Sequence, residues 1–200
     1  MGHNGKSEII DGIVSKFRYF SLVACTLFAL SAVWGTTVVA PTFDELVSQA
    51  QVIFQGAVTD VRSEWAGAGT QRHIVTYVTF QVEEGFKGNA GATYSIRLLG
   101  GTVDGQTMEV TDAPKFSVGD RDILFVENNG SQFVPLVGVS YGRFRVQREQ
   151  TTGRDVVMTN ERAPLSDLSQ LGRNERAATV GRPLSIDEFK RAIRTKLANP

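Results

Sequence analysis

The chain has 200 residues, 42% of them hydrophobic and 21% charged, and its 21 basic and 21 acidic side chains give a formal net charge of zero. With no basic excess there is no counterion-releasing face of the kind that general nucleic-acid binding needs, so nucleic acid is not an expected partner. The single cysteine, Cys25, lies in an apolar run, so the rest of the chain has no disulfide or cysteine metal site and must be held by core packing.

Residues 1–18 place Ile9, Ile10, Ile13, Val14 and Phe17 at helical spacing, with Ser7, Asp11 and Lys16 off that stripe. The pattern predicts a cytoplasmic amphipathic segment lying in a membrane interface. From Tyr19 to Ala40 no residue is charged. As a helix this run spans roughly 33 Å, enough for a bilayer core. Lys6, Lys16 and Arg18 precede it, Asp44 and Glu45 follow, and the next basic residue is Arg62. The positive-inside rule then leaves the N-terminus in the cytoplasm and sends the rest across.

Residues 19–40 read either as a transmembrane anchor or as a signal peptide. The anchor is favoured. Cutting after Ala40 would leave Pro41 behind the cut, Val33-Trp34-Gly35 is a mediocre alternative, and the leading region is long and contains Glu8 and Asp11. The expectation is a single-pass protein of the cytoplasmic (inner) membrane with a periplasmic domain; the alternative is secretion after cleavage. Leu22-Val23-Ala24-Cys25 looks like a lipoprotein box, but an apolar run follows it where a polar linker belongs.

Residues 41–160 predict a β domain. Thr42 and Glu45 form a capping box that opens a short helix with Phe43, Leu46 and Val47 on one face. Strand signals follow at Val52–Val61, with Gly56 marking a bulge, and at His73–Val82, where Ile74, Thr76, Val78, Phe80 and Val82 share a face. Thr93–Leu99 alternates in the same way, and Val103-Asp104-Gly105-Gln106 predicts a hairpin with a type I′ turn. Ile123–Glu127, Phe133–Val139, Phe144–Gln147 and Val156–Met158 complete seven to nine short strands around one closed core, a barrel or sandwich. Residues 161–200 divide into a loosely ordered connector and a C-terminal helix opened by the Ser185/Glu188 capping box, with Phe189, Ala192, Ile193 and Leu197 as its apolar stripe.

Ala50-Gln51-Val52-Ile53-Phe54-Gln55-Gly56-Ala57-Val58 and Val78 through Gly88 resemble the opening strands of the netrin-like, OB-type barrel, also seen in tissue inhibitors of metalloproteinases. Leu99 through Gly105, Phe116 through Asp120, Ile123 through Val126, Val137-Gly138, and Tyr141 through Val146 resemble segments of exported bacterial proteins more closely. The resemblance implies a small OB-like (netrin/TIMP-like) barrel with short flanking helices, preceded by one transmembrane helix. In the metalloproteinase inhibitors a free N-terminal cysteine chelates the target's zinc and disulfides staple the barrel. Neither is present here, so no inhibitory residue carries over.

The chemistry-bearing residues are sparse. His3 and His73 are the only histidines, and no cluster of His, Cys or carboxylate at ligand spacing accompanies them. No Gly-x-Ser-x-Gly element occurs, Glu83 and Glu84 fall on opposite strand faces, and Gly100, Gly101 and Gly105 precede no helix. Asp120 and Asp122 predict a solvated turn. No catalytic, cofactor or metal residue is expected. The expected partner surface is Tyr141, Arg143, Arg145 and Arg148 on one strand face, with Phe189, Arg191 and Arg194 on the C-terminal helix. Together these predict a non-catalytic, membrane-anchored binding or scaffolding protein, an accessory subunit of a membrane protein complex; the alternative is a secreted module that binds a protein or glycan, protease-inhibitor-like by fold analogy only.

Overall fold

The computed structural model describes residues 39–172 and 181–199; the expectations for residues 1–18, for Tyr19 to Val38 and for Cys25 and His3 fall outside them. Ala40 is already buried. The Thr42 hydroxyl then accepts from the Glu45 amide while the Glu45 carboxylate accepts from the Thr42 amide, which starts α1 (Phe43–Gln49). Lys87 Nζ ends it, donating to the carbonyls of Val47 at 2.8 Å and Ser48 at 3.0 Å, where a helix leaves its acceptors unpaired.

Two long strands follow, β1 (Val52–Ala66) and β2 (His73–Lys87), joined through a short 3₁₀ turn at Gly69–Gln71. The remaining strands are β3 (Thr93–Leu99), β4 (Gly101–Val103), β5 (Gln106–Met108), β6 (Arg121–Val126), β7 (Arg143–Arg148) and β8 (Asp155–Thr159). A six-stranded antiparallel sheet has the order β3-β2-β1-β6-β7-β8, and β4-β5 forms a separate hairpin. Asp104 (φ 51°) and Gly105 (φ 76°) turn that hairpin, as the type I′ expectation requires. α2 (Ile186–Ala198) closes the described chain, its Ser185/Glu188 capping box formed.

β6 and the first half of β1, Val52 to Val58, are buried on both faces. Ile53, Ile123 and Phe125 face a core covered by α1 and α2, whereas Phe54, Leu124 and Val126 face a second core with Val78, Phe80, Ile96 and Leu98. This is why Arg121-Asp122-Ile123-Leu124-Phe125-Val126 has a continuous apolar run and no alternation. Phe189 is the hub of the first core, with its ring 4.8 Å from Phe144 and 5.8 Å from Phe43.

The domain is mostly β, as expected, but the sheet does not close. Its hydrogen-bonded order stops at β3 and β8, and both edges are covered by loops in place of strands. Asn129 acts as a side-chain stand-in for a strand beside β3: its Oδ1 accepts from the Arg97 amide and its Nδ2 donates to Ser95 O, while Leu99 N donates to Phe133 O. Beside β8, Pro164 and Ser185 make single bridges to Met158 and Val156. Covered edges satisfy the backbone without barrel closure. Residues 133–139 form no strand: only Leu136 bridges β6, and Val139 turns the chain at φ 65°. Within the expected connector, Leu165 is buried and Leu168 and Leu171 pack on the helix-covered core, so 163–171 is part of the fold.

Candidate functional site

The second core does not extend to the end of the long hairpin. Beyond Val58 and Phe80, the same sheet face carries smaller side chains, Val61, Ser63, Thr76 and Val78, and the segment from Met108 to Phe116 crosses over it without filling the gap. The result is a groove of about 610 Å³, within the size range of small-ligand and peptide sites. Its walls are mainly apolar, from Val61, Val78, Leu98, Met108, Val110 and Phe116. One end is polar: Ser63 Oγ and Thr76 Oγ1 lie 2.8 Å apart, and Thr76 Oγ1 donates to Gly100 O at 2.6 Å. Gly101 is required there. A Cβ at that position would come within 2.3 Å of Thr76 Oγ1 and 2.4 Å of Ser63 Oγ.

The wall formed by Lys115 and Phe116 is held from beneath by a buried ion cluster. Arg143, fully buried, donates to both Asp122 oxygens at 3.0 and 2.9 Å, to Asp120 Oδ2 at 2.8 Å and to Lys115 O at 2.6 Å. Its guanidinium also stacks 3.9 Å from the Phe116 ring centre. Arg145 adds a second charge 3.5 Å from Asp120 and donates to Asn160 O at 3.1 Å. Burial pushes the Asp122 carboxyl above its ordinary value, against the pull of Arg143. Burial also raises Asp120, but the Ser117 amide with Arg143 and Arg145 outweighs it and holds Asp120 below the usual range. A charge pair this deep costs desolvation and persists because nearly every donor is met. It serves to fix the 115–120 loop, whose Gly119 N and Asp120 O bond Val58 of β1.

The expected partner surface is dispersed. Arg143 sits in that cluster and Phe189 in the helix-covered core, so neither is presented to a partner. Arg145 is largely buried, with its side chain 17% exposed, whereas Arg148 projects outward beside Asp155. Tyr141 is 38% exposed. Arg194 reaches Glu84 and lies 5.5 Å from the Phe86 ring centre, and exposed Arg191 borders a shallow hollow with Phe43, Leu168 and Thr195. The alternation of Arg143 and Arg145 with Phe144 and Val146 suggests an outward basic face, but both sides of β7 are covered at its start. Asp120 and Asp122 likewise form no solvated turn. The signal for the cluster is one of parity: Asp122 shares a strand face with Leu124 and Val126, so a charge there requires a buried counter-charge.

Glu83 and Glu84 point to opposite faces. Glu83 pairs with Arg121 at 3.1 Å and Glu84 with Lys190 at 3.0 Å. His73 has both ring nitrogens engaged, Nδ1 with Gln71 O at 2.8 Å and Nε2 with Arg97 Nη2 at 3.3 Å, so Nδ1 carries the proton. Among the described residues no three His, Cys, Asp or Glu side chains gather into a metal-binding group. None of their helices is long and apolar enough to cross a membrane. No family model, curated protein or solved structure matches the chain.

Proposed function

We propose that this chain is a non-catalytic binding module held at the cytoplasmic membrane by residues 19–40, with its β domain on the far side, where it serves as an accessory subunit of a membrane protein complex. The observation that carries the binding role is the groove beneath Met108–Phe116: preformed, apolar along its walls and hydroxyl-lined at one end. A site with that lining holds a ligand by burial and orients it with few polar contacts. The anchor draws support from Ala40 and Pro41, which are buried in the domain, so a cut after Ala40 would remove a packed residue. An OB-like, netrin-like fold belongs to the same proposal. Register shifts along β1 and β2 between Ile53/Phe54, Gln55/Gly56 and Val58/Asp60 support it, because bulges coil a sheet toward a barrel.

The test is gentle solubilisation of the membrane fraction, followed by sizing and identification of co-purifying chains. The expected result is a complex larger than the 21.8 kDa chain in its micelle, lost when half-buried Met108 is changed to Asp in the groove. Migration of the unaltered protein alone, or a complex indifferent to M108D, overturns the reading.

A further inference from the structure

The groove is bordered by a strand edge that pairs with no other strand among the described residues. β6 pairs with β1 only from Val52 to Ala57, and the 119–120 loop extends the cover to Val58. From Thr59 to Ala66, β1 pairs with β2 alone among the described residues. The registers identify which groups are left over. The Arg97 and Leu99 amides and Ser95 O bond Asn129 and Phe133, so these residues face away from β2. Ile96 and Leu98 therefore face β2, opposite Val78 and Thr76. Tyr77 and Val75 then face β1, opposite Arg62 and Glu64. The amides and carbonyls of Val61, Ser63 and Trp65 point out from the open edge.

We infer that this edge joins a second copy of the same chain, antiparallel, about a two-fold axis through Ser63. Charges on an edge ordinarily deter pairing. Here Asp60, Arg62 and Glu64 alternate in sign along one face, which makes the edge complementary to itself. Centred on Ser63, Arg62 of each copy meets Glu64 of the other, and Val61 meets Trp65, an aromatic/β-branched pair. The outward groups of Val61, Ser63 and Trp65 then form about six inter-strand hydrogen bonds. Centring on Arg62 would set Arg62 against itself and Asp60 against Glu64. Centring on Val61 would set Ser63 against Thr59, the residue skipped in the β1–β2 register. Ser63 is the one centre that satisfies both the backbone and the charges. A two-fold contact of this kind closes on itself and does not propagate.

The experiment is sedimentation equilibrium of the full chain in density-matched detergent micelles, at concentrations up to about 100 µM, where a small interface still associates. The expected result is a dimer. R62E and E64R each set like charges across the strands and weaken it about tenfold or more. The R62E/E64R double variant exchanges the charges and restores the dimer. Circular dichroism melts confirm that each variant is folded; if R62E fails that check, E64R and the double variant carry the test. A monomer throughout the range, or a dimer whose strength R62E and E64R leave unchanged, overturns the inference. A dimer with no other partner supports this inference while counting against the accessory-subunit reading, so the two fail separately.

Discussion

The two halves of β1 are made from one continuous strand and lead opposite lives. Val52 to Val58 is paired on both edges and almost wholly buried, whereas Thr59 to Ala66 is paired on one edge and largely exposed. The boundary is the loop that Arg143 holds against Val58. Stability is thus concentrated in the base of the long hairpin, and the tip is free to be shaped for contact.

Substitutions at the base should show this most strongly. Phe54 is fully buried, with Phe80 and Tyr94 rings 5.4 and 5.1 Å away, so Phe54→Ala is expected to cost about 3–5 kcal/mol in urea unfolding. Arg143→Met tests the boundary itself. It leaves Asp122 buried and uncompensated, at a cost of about 3 kcal/mol, and the Asp122→Leu double variant should recover most of it. Hydrogen exchange should also show the Val58 amide losing protection in Arg143→Met, since Asp120 O accepts from it. Gly56→Ala places a Cβ 2.7 Å from Gln81 O and is expected to cost about 1–3 kcal/mol.

The cap on α2 gives a smaller effect with a distinctive pH dependence. The Ser185 amide and hydroxyl hold the Glu188 carboxyl down to about 2. A depressed carboxyl pKa contributes stability that is present above its ordinary value of 4.5 and is lost as pH falls through the folded value. Ser185→Ala should therefore lower stability by about 1 kcal/mol at neutral pH and flatten its decline between pH 4.5 and 2. Last, Val61→Ala at the exposed tip should change stability by about 0.5 kcal/mol or less. A cost at Val61 that matches the cost at Phe54 would erase the distinction between the two halves.

Local chemistry was the legible part of this sequence. Both capping boxes, the Asp104-Gly105 hairpin and the alternation of β2 are written in neighbouring residues, and each is formed. β1 runs past its expected end at Val61, because Asp60, Arg62 and Glu64 end the apolar run while the backbone goes on pairing with β2 to Ala66. Phe133–Val139 has the apolar content of a strand, but its backbone is divided: Phe133 O accepts from Leu99 N on the edge of β3, Pro135 O and Val137 N bond Glu127 and Phe125 around the single bridge to β6, and Val139 turns the chain at φ 65°. The groove left no mark at all. Its lining comes from β1, β2, β3 and a loop, and only the long-range register brings Ser63, Thr76 and Phe116 to one place.

One contact bears on how such a domain is made. Phe43, in α1, packs against Phe189, in α2. The helix-covered core therefore stays unsealed until residues near 189 have emerged, however early the β1–β2 hairpin forms. A chain with that wiring stays open while it is being synthesised, and locks only when α2 arrives.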